Sequence, residues 1–354
     1  MNGRVLMKGN EAIAEAAIRA GCRHYFGYPI TPQTEIAHYM AKRMVEAGGV
    51  FVQAESEIAA INMVYGAAGA GARAMTSSSS PGISLKQEGF SYIAGAELPA
   101  VVVNIVRGGP GLGGILPAQG DYFQATKGGG HGDYRNVVLA PASVQELYEM
   151  TIEAFNIADR YRVLVMILGD GALGQMMEPV SFREEEHITR PERPWELTGT
   201  GGTREHRAVT SIYIEADDLE TLNRRLQAKY REIERAETRV ETTGCDGAEI
   251  LITAFGTCSR IMKNVIAQAE SEGIKVGLIR PITLWPFPSD AVAAAVADPA
   301  VKAILDVELN AGQMVEDVRL AVNGTKPVYF HGRMGGNLPT QAEIMDKIRE
   351  ILGR

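Results

Sequence analysis

Apolar positions in residues 9–168 switch between two spacings, and the switching predicts alternating helices and strands. Helical spacing covers the stretches near 10–20 and 33–46, while short apolar runs mark strands at 24–28 and 50–52. Strands continue at 72–76, 100–106, 137–139 and 163–168, with a helix opening near Pro81 and another over 144–158. Repeated strand-then-helix units predict a doubly wound parallel α/β sheet, with ligands beyond the carboxyl ends of its strands. From 178 to 210 the pattern dissolves into charge, proline and glycine, as in Arg190-Pro191-Glu192-Arg193-Pro194-Trp195, the mark of a linker or working loop. Leu219, Leu222, Leu226, Tyr230 and Ile233 then line one face of a helix near 216–238, a stripe suited to packing between domains or subunits. Residues 248–352 resume the α/β rhythm with four more strands and four more helices. The expected division is a doubly wound domain over 1–190, a linker with an amphipathic helix over 191–244, and a smaller three-layer domain over 245–354.

The stretch 49–71 organises the first domain. Val50 to Val52 read as a short buried strand, Ser56 is a good N-cap, and Ile58, Ile61, Met63, Val64 and Ala67 predict a helix apolar almost all round. Glu55 and Glu57 sit where strand becomes helix. An exposed Glu57 would do no more than complement the helix dipole, worth roughly 0.3–1 kcal/mol. A buried one must be capped or chemically used.

Two other strand ends carry candidate chemistry. Thr31 lies between Ile30 and Pro32 at the expected start of a helix, where it is either a plain N-cap or a hydroxyl meeting an anion. Arg107 ends the most apolar strand, where a guanidinium can hold a carboxylate bidentately or pair with a loop acid such as Asp121. The following Gly109-Pro110-Gly111-Leu112-Gly113-Gly114 matches G-x-G-x-x-G, but no clean helix opens after it and no acid ends the next strand. It therefore reads as a loop over the site rather than a dinucleotide fingerprint. The run Ser77 to Ser80, ahead of Pro81-Gly82, offers hydroxyls and free amides at a helix start.

Composition narrows the function classes. A net charge of −8 argues against a nucleic-acid surface and gives no global attraction for acidic ligands, so any anion needs local groups. Cys22, Cys245 and Cys258 form no CxxC pair, and spacing supplies no iron-sulfur or zinc site. If electrons leave the reaction, another chain carries them. No apolar run approaches the ~20 residues of a membrane span and Met1 to Asn10 lacks a secretion-signal core, which leads us to expect a cytoplasmic protein.

Tyr28-Pro29-Ile30-Thr31-Pro32, followed by Ser56-Glu57 before an alanine- and glycine-rich helix, resembles the α chain of thiamin-diphosphate-dependent 2-oxoacid:ferredoxin oxidoreductases. The likeness is nearest to the branched-chain (3-methyl-2-oxobutanoate) type. It implies a pyrimidine-type thiamin domain followed by a transketolase C-terminal-like domain. Glu57 would be the catalytic carboxyl on the pyrimidine ring, with Thr31 and Arg107 on the substrate carboxylate. Tyr28, Pro29, Ile30, Ser78 and Ser79 would lie along the cofactor. His131 and the Thr203-Arg204-Glu205-His206 string are similar to family elements without assigned chemistry.

Gly169-Asp170-Gly171 starts the motif by which thiamin enzymes hold magnesium and diphosphate, but no Asn follows before Asn223. Asp170 is accordingly assigned to a turn. The resemblance then implies a β subunit carrying the diphosphate, Mg2+ and a [4Fe-4S] cluster, with γ and ferredoxin-like δ subunits as further candidates. It also implies coenzyme A as co-substrate and ferredoxin as electron acceptor, in oxidative decarboxylation of a 2-oxo acid to an acyl-CoA. A 2-oxoglutarate-type homologue, a non-oxidative two-chain thiamin enzyme and a non-catalytic assembly subunit stay open at this point.

Overall fold

A computed structural model describes residues 4–182 and 192–354. The expected domain boundary at 190/191, and the part of the linker over 183–191, lie outside the described residues. The chain begins β1 (Val5–Lys8), α1 (Gly9–Arg19), β2 (His24–Gly27), α2 (Thr34–Glu46), β3 (Val50–Gln53), α3 (Glu57–Gly69), β4 (Ala74–Ser78), α4 (Pro81–Leu85), α5 (Gln87–Gly95) and β5 (Ala100–Val106). It continues α6 (Tyr122–Thr126), β6 (Val137–Leu139), α7 (Val144–Tyr161), β7 (Leu164–Asp170), α8 (Gly171–Gln175), β8 (Met177–Val180), α9 (Ala216–Glu237) and β9 (Val240–Thr243). The last part is β10 (Ile250–Thr253), α10 (Gly256–Ser271), β11 (Val276–Pro281), β12 (Thr283–Trp285), α11 (Ser289–Val296), β13 (Ala303–Glu308), α12 (Met314–Val322), β14 (Val328–Gly332) and α13 (Gln341–Leu352).

Seven strands form the first sheet in the order β12-β6-β7-β5-β4-β2-β3. Its centre is β5, whose valine-rich run is buried throughout and pairs in parallel with β4 and β7. Helices cover both faces, which is why such strands read as continuous apolar runs. The edge strand β12 comes from the far half of the chain and runs antiparallel, Thr283 opposite Leu139. Nothing in a three-residue Thr-Leu-Trp segment announces that it will leave its own domain to complete another sheet. The second sheet, β14-β13-β10-β11-β9, is parallel except for β9.

Two expectations about the opening stretch need correction. The strand at 50–52 is the outer edge of the sheet, not a buried one: Val50 is exposed and Phe51 and Val52 are half-buried. Helix α3 buries only one side, through Glu57, Ala60, Ile61, Val64 and Ala68, while Ile58 on the other side is exposed. An all-round apolar pattern states that both faces can be covered and does not say by what. The α9 stripe is settled within the chain. Leu222, Leu226, Tyr230 and Ile233 are buried in a core shared with α1, α2 and α7, and Leu219 is left exposed.

The two sheets meet through Gln119. Its backbone N–H donates to the carbonyl of Leu309 at 2.9 Å and its side-chain oxygen accepts from the Leu309 N–H at 3.0 Å. Its Nε2 donates to the Phe255 carbonyl at 2.9 Å, and Asn310 Nδ2 donates back to the Gln119 carbonyl. The carboxyl ends of β10 and β13 are thereby tied to the segment that follows β5 of the first sheet.

Candidate active site

The carboxyl ends of β2, β4 and β5 lie side by side because these strands are neighbours or next neighbours in the sheet. Each contributes what the others lack. After β4, Ser80 adopts a left-handed backbone (φ +23°), a conformation a side chain occupies only under constraint. The constraint is visible. Ser80 N–H donates to Asn104 Oδ1 at 3.1 Å, the Ser80 hydroxyl donates to the Arg107 carbonyl, and the Arg107 N–H donates to Ser80 Oγ. Asn104, fully buried within β5, in turn donates to Asp121 Oδ2 at 2.8 Å. Burial pushes the Asp121 carboxyl up, against the lowering effect of its bond to Asn104.

A second chain of bonds fixes the loop after β2. Ser77 Oγ donates to Gln33 Oε1 at 2.6 Å, so Tyr25, 2.7 Å from the same oxygen, must donate to it. Gln33 Nε2 reaches the Tyr28 carbonyl at 3.4 Å. Tyr28, Pro29 and Thr31 are exposed and Ile30 is half-buried on this loop. The expectation that Thr31 opens the next helix is wrong. Gln33 occupies the N-cap of α2, so Thr31 stands upstream of it and does not cap the helix.

Arg107 is buried, and no carboxylate of the described residues lies within ion-pair distance of it. The alternative of a pair with Asp121 falls, because that acid is bound to Asn104. Its two terminal nitrogens donate to the carbonyls of Thr31 and Leu112, both at 2.9 Å, and Nε has no partner. Three of five guanidinium N–H groups are thus left for an anion, in a plane already fixed. Leu112 belongs to the loop after β5, which folds back through Gly114 N–H to the Gly108 carbonyl. Gly113, at φ +63°, has no room for a side chain against that carbonyl. Leu112, Ile115 and Leu116 of this loop are exposed.

Glu57 starts α3 behind Ser56, whose hydroxyl caps Ala59 N–H at 3.2 Å as expected. Its carboxyl is buried, not turned to solvent. A side chain on Gly82 would place Cβ 2.6 Å from Glu57 Oε1 and would also strike Ser78 Oγ. The glycine of Pro81-Gly82 is therefore the wall of the carboxylate's cradle. Beside it the hydroxyl of Ser78 is buried without a partner, as are those of Thr76 and Ser79 on the same stretch, unmet hydrogen-bonding capacity that a polar ligand would satisfy. Gln33, Asn104 and Lys86, bonded to Ser77, Ser80 and Glu57 respectively, were missed from the sequence. A buried Asn in the middle of a valine run was the available signal for one of them.

Asp170 does not sit in a plain turn. It caps the one-turn helix α8, accepting from Ala172 and Leu173 N–H at 2.9 and 3.1 Å, and burial pushes its carboxyl up. No group of three or more His, Cys, Asp or Glu suited to a metal occurs among the described residues. His131 packs its ring edge-on to Tyr92, and His206 is exposed. Among the described residues no helix is long and apolar enough to cross a membrane.

Comparison with known proteins gives the family. Residues 15–242 match the family model described as pyruvate flavodoxin/ferredoxin oxidoreductase, thiamine diphosphate-binding, and residues 248–344 match the pyruvate:ferredoxin oxidoreductase core domain II. The ketoisovalerate oxidoreductase subunit VorB of Methanothermobacter thermautotrophicus is 53% identical over 98% of both chains. The chain belongs to the 2-oxoacid:ferredoxin oxidoreductase family. Like its family, it is a subunit of a multi-subunit, thiamin-diphosphate-dependent oxidoreductase. The 2-oxoglutarate:ferredoxin oxidoreductase from Magnetococcus marinus, solved with 2-oxoglutarate, coenzyme A and succinyl-CoA bound, superposes with a TM-score of 0.89 at 29% identity. This family member spans 99% of the present chain, which itself covers 66% of the Magnetococcus one. A split-gene transketolase (inactive β4 tetramer) superposes at TM-score 0.61 and 13% identity over 98% of both chains, which shows a shared fold.

The residues present fit the pyrimidine end of thiamin diphosphate. The cradle offers a buried carboxyl at a glycine wall with the unpartnered Ser78 hydroxyl beside it, donor and acceptor groups of the kind an aminopyrimidine needs.

Proposed function

We propose that this chain is the α subunit of a branched-chain 2-oxoacid:ferredoxin oxidoreductase, converting a 3-methyl-2-oxobutanoate-type acid and coenzyme A to acyl-CoA, CO2 and reduced ferredoxin. The observations that carry the reading are the burial of Glu57 at its glycine wall and the burial of Arg107 with no carboxylate of the described residues within ion-pair distance. Thiamin diphosphate, when bound, supplies the nucleophilic carbon and electron sink that let a 2-oxo acid lose its carboxylate. Glu57 is the catalytic carboxyl: it hydrogen-bonds the pyrimidine ring nitrogen and holds or gives a proton there. Ser78 and Ser79 line the ring beside it, and Tyr28, Pro29 and Ile30 form the facing edge of the cofactor site.

Arg107 binds the substrate carboxylate through its remaining N–H groups, with Thr31 at its side. The exposed Leu112, Ile115 and Leu116 on the adjoining loop suit an apolar substrate side chain, and the high identity to a ketoisovalerate oxidoreductase subunit agrees. Mg2+, the diphosphate site and the [4Fe-4S] cluster belong on a partner β subunit, with γ and ferredoxin-like δ subunits completing the assembly in the cytoplasm. The division 1–190, 191–244 and 245–354 is the working domain scheme.

Purifying the native complex and assaying thiamin, iron and a panel of 2-oxo acids tests the proposal. Thiamin and iron together, with the highest kcat/KM on branched-chain acids, are expected. Thiamin without iron would point to a non-oxidative enzyme, preference for 2-oxoglutarate would overturn the substrate assignment, and full activity of the partner alone would leave this chain an assembly role.

A further inference from the structure

Lys86 is completely buried. It lies at the elbow between α4 and α5, and its Nζ donates to the main-chain carbonyl of Glu57 at 3.3 Å. This puts an ammonium out of water and against the first turn of α3, where the helix dipole is already positive. Both terms oppose it. A methionine would fill the same space with neither cost, so a buried lysine here answers to something other than packing.

The compensating charge is Glu57, whose carboxylate favours the charged form of Lys86. Burial pushes the ammonium down to about 8 while Glu57 pulls it upward, so at neutral pH it stays mainly protonated. The same short segment touches Glu57 at both ends. Gly82, in α4, walls the carboxyl, and Lys86, at the end of α4, holds the carbonyl.

We infer that Lys86 is the positioning residue of Glu57, its ammonium stabilising the ionised carboxylate and so setting how far the Glu57 proton passes to the ring nitrogen of the cofactor. The inference rests on Glu57 meeting the pyrimidine. One proton moves, from a Glu57 carboxyl oxygen to the ring nitrogen, with no electron transferred and no bond between heavy atoms broken. Without the ammonium the carboxylate loses the positive charge that attracts it. Lys86 itself touches neither ring nor substrate.

The test uses the assembled complex carrying Lys86→Met or Lys86→Gln. Glutamine keeps a donor for the Glu57 carbonyl but no charge, which separates the hydrogen bond from the ammonium. The readout is the near-UV circular dichroism of bound thiamin diphosphate, which differs between protonated and neutral aminopyrimidine, together with kcat and KM. Both variants are expected to lower the ratio of protonated to neutral ring about tenfold, and to lower kcat while the substrate KM stays within about twofold. A wild-type spectrum in Lys86→Gln, alongside an altered one in Glu57→Gln, would overturn the inference and leave Glu57 in place. An unchanged spectrum and thiamin affinity in Glu57→Gln would remove the underlying reading of Glu57 instead. If Lys86→Met fails to assemble, Lys86→Gln decides, and failure of both variants to assemble would show a structural role and overturn the proposal.

Discussion

Glu57 and Arg107 show how far a single side chain can be interpreted before its neighbours are known. For Glu57 the alternatives were a dipole-complementing surface acid and a buried functional one, and burial behind Gly82 removes the exposed surface acid. Glu57→Gln keeps the size of the side chain and removes its proton. It is expected to lower kcat on the order of 10²–10⁴-fold while the complex still assembles, measured by single-turnover kinetics and gel filtration. Near-normal turnover would take Glu57 out of the mechanism. For Arg107 the test is lysine, which has no planar fork to span the carbonyls of Thr31 and Leu112 and still present donors to a carboxylate. Arg107→Lys should raise the substrate KM about 10-fold or more, and an unchanged KM would reduce the arginine to a loop fastener.

At the scale of elements, the loops after β2, β4 and β5 were all placed correctly after strands, yet their internal bonding was not legible. Gln33 and Ser77 are ordinary polar residues in sequence, and only the adjacency of β2 and β4 turns them into the tie that holds the Tyr28–Pro32 loop. Thr31 misled for a related reason. Threonine before proline looks like a helix start, but the helix begins beyond it at Gln33, and Thr31 instead offers its carbonyl to Arg107. The α4 turn carries a sharper prediction. Gly82→Ala would push a methyl group into the Glu57 carboxyl and Ser78, so the chain should lose about 1–3 kcal/mol of stability. Its thiamin affinity should fall with it, as titration calorimetry on the complex would measure; a full-affinity variant would mean the cradle is not where the cofactor binds.

For the molecule as a whole, the join between the two sheets is the feature with a pH signature. Asp306, at the carboxyl end of β13, is fully buried, accepts from the Thr253 hydroxyl at 2.5 Å and leaves Oδ2 without a partner. Burial, with Glu308 nearby, pushes its carboxyl well above the usual 3.8. A raised folded-state value means that folding takes up a proton, so its contribution is full below the unfolded carboxylate range and is lost as pH rises toward the folded value. Asp306→Asn keeps an acceptor for Thr253 and carries no charge to bury. Its thermal stability relative to the parent chain should improve progressively as pH rises above about 4, the ordinary carboxylate value, followed by scanning calorimetry; a difference that stays constant as pH rises from there would show that Asp306 does not titrate.

The sequence by itself determined the strand-and-helix order, the capped start of α3 and the family likeness, because these depend on local spacing and on short strings of adjacent residues. Tertiary structure decided what those strings face. It made β3 an edge, sent β12 across to the first sheet, stripped Arg107 of the acid partner it had been offered and set Lys86 against Glu57, because burial and ion pairing arise between residues that are distant along the chain and have no fixed spacing.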